Sequence, residues 1–205
     1  MFSNKTFQYC SNENYLLGIH DSLPIIEINY NNYKNDILEE ITIKLNKETC
    51  CETNEFLLKM SNNEMVNVTL FNYCKSCGVI CSENSFTRVL INRDHLVLVN
   101  ESPIANDSLA NYIHEFLKKP DSDYNYVENC MLDWDLTTNK ESVEQAFIDI
   151  KKGYQLYYEE LALQKFGKPI CELTQKETAA IKREKSSIYL GVGYRILHLP
   201  PPPKE

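Results

Sequence analysis

Apolar and polar residues change their spacing near residue 85. Beyond it, Thr87-Arg-Val-Leu-Ile91 and Leu96-Val-Leu-Val99 are β-rich runs on either side of Asn92-Arg-Asp-His95, a pattern that predicts a hairpin. Asn106-Asp107-Ser108 then offers a cap, and Leu109, Tyr112, Ile113, Phe116 and Leu117 recur at helical spacing until Lys118-Lys119-Pro120. Tyr126 to Leu132 reads as a third strand. A second helix is predicted from the capping-box pattern Thr138-Asn139-Lys140-Glu141, with Val143, Ala146, Phe147, Ile150, Tyr154, Tyr157 and Leu161 on one face. Phe166-Gly167-Lys168-Pro169 stops it with a glycine and a following proline. Thr174-Gln-Lys-Glu177 is a further capping box opening a short helix to about Lys185, and Ile188 to Leu199 forms a last strand weakened by Gly191 and Gly193.

Before residue 85 the helical period fades. Leu23 to Tyr30, Ile41 to Leu45 and Met65 to Phe71 alternate, and each predicts a strand. The expected fold class is therefore α+β: a small mixed sheet with two main helices packed on one face, preceded by a β-rich N-terminal region. The strand after the first helix is expected to pair in parallel with an earlier one through a right-handed crossover. The expected division is residues 1–82 as a Cys-containing N-terminal region, 83–199 as the α+β domain, and 200–205 as a proline-rich, extended tail.

Composition narrows the function classes. The 205 residues (23.9 kDa) carry 21 Lys+Arg against 29 Asp+Glu, a net charge of -8, which repels a polyanion and argues against nucleic-acid binding through bulk charge. A hydrophobic fraction of 43% suffices for a core, and a mean hydropathy of -0.40 comes with no apolar run near the roughly 20 residues of a membrane-spanning helix. The first ten residues lack the apolar centre of a secretory signal.

The eight cysteines are unevenly spread. Cys50-Cys51 are adjacent, Cys74, Cys77 and Cys81 lie within eight residues, and Cys10, Cys130 and Cys171 are scattered. Cys74-x-x-Cys77 has the spacing of half a zinc knuckle, completed by Cys50, Cys51 or Cys81, but a second such pair is missing. One or two disulfides in an oxidising compartment, or simply buried thiols, fit the same count.

Enzyme signatures fail. Gly191-Val-Gly193 is too short for a dinucleotide fingerprint, and no phosphate-binding loop or nucleophile elbow occurs. His20, His95, His114 and His198 are isolated in sequence. Asp133-Trp134-Asp135 sets two carboxylates around the only tryptophan, a pattern open to metal binding or general-base work and equally to an acidic loop before a helix. Tyr154, Tyr157 and Tyr158 form either a stacking platform or core, and Lys182, Arg183 and Lys185 a small solvated basic cluster. No catalytic, cofactor or metal residue is assigned, and a non-enzyme is expected.

Residues 83–187 resemble the periplasmic domain of the ExbD/TolR family, in particular its Bacteroidetes-type branch. Thr87 to Asn100 looks like the family's first hairpin, with Asn-x-Asp in the turn, followed by Pro103-Ile104 and a helix. Asn129 to Thr137 occupies the place of the strand that runs into an acidic loop. Tyr154 to Pro169, then Leu173-Thr174 and Glu177-x-x-Ala180-Ile181, is similar to that branch's long helix, Phe-Gly-Lys-Pro stop and short acidic helix. The resemblance implies a non-enzymatic dimer in the periplasm or at the inner membrane. Such a dimer works beside an ExbB/TolQ-like channel, transmitting proton-motive force to a TonB/TolA-like partner for transport across the outer membrane. It also implies an N-terminal transmembrane helix with a proton-pathway aspartate, and the 205 residues hold neither. The turn position that is often glycine in the family is His95 here. The alternative is a Cys-rich metal-binding or disulfide-stabilised binding module unrelated to transport, carried by Cys50, Cys51, Cys74, Cys77 and Cys81. A third reading is a small hydrolase using Asp133 and Asp135.

Overall fold

The computed structural model describes residues 9–30, 32, 34–45, 54–71, 86–118, 129–135, 137–182 and 188–191. In chain order they form α1 (Ser11–Leu16), β1 (Ile25–Ile26), α2 (Lys34–Leu45), β2 (Asn54–Lys59), β3 (Met65–Phe71), β4 (Phe86–Ile91), β5 (Val97–Val99), β6 (Ser102–Ile104), α3 (Leu109–Leu117), β7 (Asn129–Trp134), α4 (Lys140–Phe166), α5 (Gln175–Ile181) and β8 (Ile188–Gly191). The strands make one mixed sheet in the order β1-β2-β3-β8-β7-β4-β5-β6. β3, β8, β7 and β4 are parallel neighbours at its centre, and antiparallel pairs β2/β3 and β4/β5/β6 flank them. The class is α+β.

Register decides which face is covered. Phe56, Val68, Ile188, Cys130 and Thr87 stand side by side across five strands. Leu70, Leu190, Leu132, Val89 and Val99 form the next row. All ten are buried. Each apolar side chain taken out of water there contributes about 1.5–3 kcal/mol. Helix α4 lies against this face, where the Tyr154 hydroxyl reaches Cys130 Sγ at 3.6 Å. On the opposite face Arg88, Leu90, Leu98, Met131 and Asp133 are only half-buried.

The hairpin, helix, strand and helix expected after residue 85 are present, the strand described from Asn129 with Tyr126 to Glu128 outside the described residues, and β7 pairs in parallel with β4. Two helix ends match their chemistry. Gly167 caps α4 with φ +65, and Thr174 and Glu177 form the reciprocal capping box of α5. The start of α4 is shifted by one residue: Asn139, not Thr138, is the cap, accepting from the Ser142 amide at 2.8 Å. Thr138 instead turns its hydroxyl into the fold, donating to the carbonyls of Ile91 and Asn92.

The first half departs further from the alternating pattern. Ile41 to Leu45, expected as a strand, is the end of helix α2. Ile37 and Ile41 are each 1% exposed and sit one helical turn apart, with Leu45 one turn beyond, while Ile43 is 70% exposed. The i, i+4, i+8 spacing therefore overrode a short alternation. Of Leu23 to Tyr30 only Ile25–Ile26 is a strand, whereas Met65 to Phe71 is strand throughout. β3 pairs with β8, and one apolar core runs from Leu16 to Leu190, so residues on both sides of the expected 82/83 division share a sheet and a core. The last strand is described to Gly191; its predicted continuation to Leu199 and the proline tail lie outside the described residues.

Candidate functional site

A polar grouping lies where α1 meets the middle of α4 and the start of β3. Lys151 points inward from α4 and is 2% exposed. Its ammonium is paired with the Glu64 carboxylate, donates to the Met65 carbonyl at 3.1 Å, and stands 4.6 Å from the centre of the Tyr9 ring. Tyr9 closes the group by donating its hydroxyl to Glu64 at 2.7 Å. Burial pulls the lysine below its ordinary range more than Glu64 raises it. For Glu64, burial pushes the carboxyl up, but the hydrogen bonds from Lys151 and Tyr9 outweigh it and hold the carboxyl low. The lysine thus bears the cost of desolvation and the carboxylate keeps its charge. Burial and the Glu64 charge also push the Tyr9 phenol well above its usual range.

Around this pair the N-terminal segment is bound by several different contacts. Cys10 and Cys171 form a disulfide across 161 residues. Asn12 donates its amide to the carbonyls of Ile170 and Leu173 at 3.0 and 2.7 Å, and Gln155 donates to Glu13 at 2.8 Å. Asn67 donates to the carbonyl of Gly18 at 2.7 Å, where φ is +67. Beneath lies a cavity of about 10 Å³ bordered by Leu16, Leu17, Asn67, Lys151, Tyr154 and Tyr158, with room for one water. Sequence reasoning missed this grouping. Its members are far apart in the chain, and each alone is an ordinary surface residue type.

Metal-ligand chemistry is limited. Among the described residues, Cys10, Glu13 and Cys171 bring donor atoms within 4.8 Å of one another, but the two sulfurs are spent on their disulfide. Cys50, Cys51, Cys74, Cys77 and Cys81, the zinc-knuckle candidates, lie outside the described residues. Cys130 is buried, and burial pushes its thiol up to about 12 despite the Tyr154 hydroxyl nearby. Such a thiol is inert at neutral pH.

The acidic pair is divided by its own local structure. Asp133 is half-buried on the sheet and accepts the Trp134 amide, while Asp135 lies beyond the strand and holds the Arg93 amide at 3.0 Å. Asp135 thus ties the β4–β5 turn to the end of β7. Tyr154, Tyr157 and Tyr158 are all buried, so they are core and not a stacking platform. Lys182 stacks 3.9 Å above the Tyr15 ring, and its basic neighbours Arg183 and Lys185 lie outside the described residues, as does His198.

His20 holds Ser22 at the surface and His95 sits in the β4–β5 turn. His114 lies beside Glu160 at 2.7 Å, and Lys118 joins the same carboxylate at 3.2 Å. The Lys118 hydrogen bond, seconded by His114, holds Glu160 below its ordinary range. This group rims a hollow of about 180 Å³ between α3 and α4, floored by Leu117, Tyr157 and Leu161. A drug-sized ligand needs about 300–1,000 Å³, more than this hollow holds. No helix among the described residues is long and apolar enough to cross a membrane.

No family model, no curated protein and no solved structure matches the chain.

Proposed function

We propose that the chain is a non-enzymatic protein-binding module of the ExbD/TolR kind, the periplasmic part of a proton-motive-force-driven TonB/Tol-type system for transport across the outer membrane. The observation that carries this reading is the order β4-β5-β6-α3-β7-α4, with α3 and α4 packed together and α4 stopped at Gly167. The β4–β5 turn adds support, since His95 takes φ +62, the left-handed conformation that favours the glycine common there in the family. The Cys10–Cys171 disulfide favours an oxidising compartment, as the periplasm is.

Contact with a partner falls more readily on the helices than on the β6 edge. Asn100 and Glu101 both have positive φ, as the two-residue turn joining β5 to β6 requires. In that turn Val99 and Ser102 exchange hydrogen bonds, so the nitrogen of Pro103 faces outward. A proline there removes the one amide that β6 would offer to an added strand. The helices instead present the 180 Å³ hollow between α3 and α4 and, elsewhere on α4, Leu163, which is 49% exposed.

The test is co-purification and crosslinking with the ExbB/TolQ-like and TonB/TolA-like proteins of the same organism, using a photo-crosslinker at Leu163 and a control at Ile43. A dimer by light scattering with Leu163-specific capture of either partner is the expected result. A monomer that captures neither overturns the reading. The same disulfide also fits a disulfide-stabilised binding module unrelated to transport, and stoichiometric zinc on thiolates without partner capture would favour that Cys-rich alternative.

A further inference from the structure

We propose that α1 is a redox-released strap: reduction of Cys10–Cys171 frees it from α4 and uncovers the buried Lys151–Glu64 pair, while the sheet stays folded. This stands independently of the partner reading above.

Three observations carry it. First, the disulfide joins α1 to the single turn after α4 (Ile170–Glu172), and both ends lie outside the central strands. Second, Cys171 is an exposed residue and Cys10 a half-buried one, so the bond lies at the surface and not in the core. Third, α1 is a six-residue helix, too short to persist without tertiary contacts, and besides the disulfide it is held by Asn12 to Ile170 and Leu173, Glu13 to Gln155, the Tyr15 ring under Lys182 and the buried Leu16. What it covers is not generic surface. Leu16 and Leu17 close the cavity over Lys151, and Tyr9, directly before the disulfide, lays its ring against the ammonium.

The chemistry needs an external dithiol. Its thiolate attacks the Cys171 sulfur, and the Cys10 sulfur leaves as a thiolate and takes up a proton. The second thiol of the reductant then displaces Cys171 from the mixed disulfide. Two electrons pass to the protein pair, the dithiol becomes a disulfide, and Cys10 and Cys171 end as thiols.

Lys151 reports the opening directly, because an amine-acylating reagent reaches it only when the strap is off. The full chain is treated with acetyl N-hydroxysuccinimide ester with and without dithiothreitol. Peptide masses give acetylation of Lys151 and the state of Cys10 and Cys171, and hydrogen exchange follows the amides of β4 and β7. The expected result is at least a tenfold faster acetylation of Lys151 after reduction, reproduced without reductant by Cys10→Ser, with β4 and β7 protection unchanged. Protection of Lys151 that survives verified reduction overturns the proposal. So does loss of β4 and β7 protection on reduction, which would make the bond a global staple. If Cys10→Ser does not fold, reduced wild-type protein gives the same decision.

Discussion

A Cβ placed on Gly153 of α4 would stand 2.6 Å from the Cβ of Ile113 on α3 and 2.8 Å from the Ala110 carbonyl oxygen. The helix backbones approach at this point, and hydrogen is the only side chain the seam admits. Gly153→Ala should therefore destabilise the protein although alanine is the better helix former. Backbone overpacking of about 1–3 kcal/mol outweighs the propensity gain of up to about 1 kcal/mol, a net loss of up to about 2 kcal/mol. Urea denaturation checks it, and an increase in stability would show that the seam yields.

His95 is the opposite case. Its φ of +62 sits in the region glycine enters freely, and its Nδ1 is buried without a hydrogen-bond partner among the described residues. His95→Gly should stabilise by about 0.5–1 kcal/mol, visible as a raised Tm. Asn92, whose side chain accepts the amides of Asp94 and Leu96, keeps the turn in place in the variant.

The Lys151–Glu64 pair predicts an asymmetric mutational response. Glu64→Gln leaves a buried ammonium uncompensated and should cost about 3–5 kcal/mol, whereas Glu64→Gln with Lys151→Met should recover most of it. The carboxyl is held below its ordinary range, so its contribution is complete above the unfolded-state value of about 4.3. It is lost as pH falls through the lower folded value. Denaturation curves from pH 7 to pH 3 should show a shallower acid loss in Glu64→Gln than in the wild type.

Cys130 should resist alkylation. With its thiol pushed up to about 12, the folded protein at pH 8 holds roughly a thousandfold less thiolate at this position than an ordinary cysteine does. Iodoacetamide followed by peptide mapping should leave Cys130 unmodified in native protein and modify it fully in urea. Ready native labelling would mean that α4 lifts from the sheet.

The sequence alone determined the elements whose signals are local. The Gly167 stop, the Thr174–Glu177 capping box, the faces of α3 and α4 and the β4–β5 hairpin all rest on residues a few positions apart. They were legible because their physics is confined to one or two turns of chain. Tertiary structure decided the rest. Ile41 to Leu45 alternates like a strand, yet Ile37 and Ile41 could be buried together only on a helix. The parallel pairing of β3 with β8 joins segments more than a hundred residues apart, and no short pattern encodes it. Cys10 found Cys171, and Lys151 found Glu64, for the same reason: the value of each residue depends on a partner that only the folded chain brings within reach.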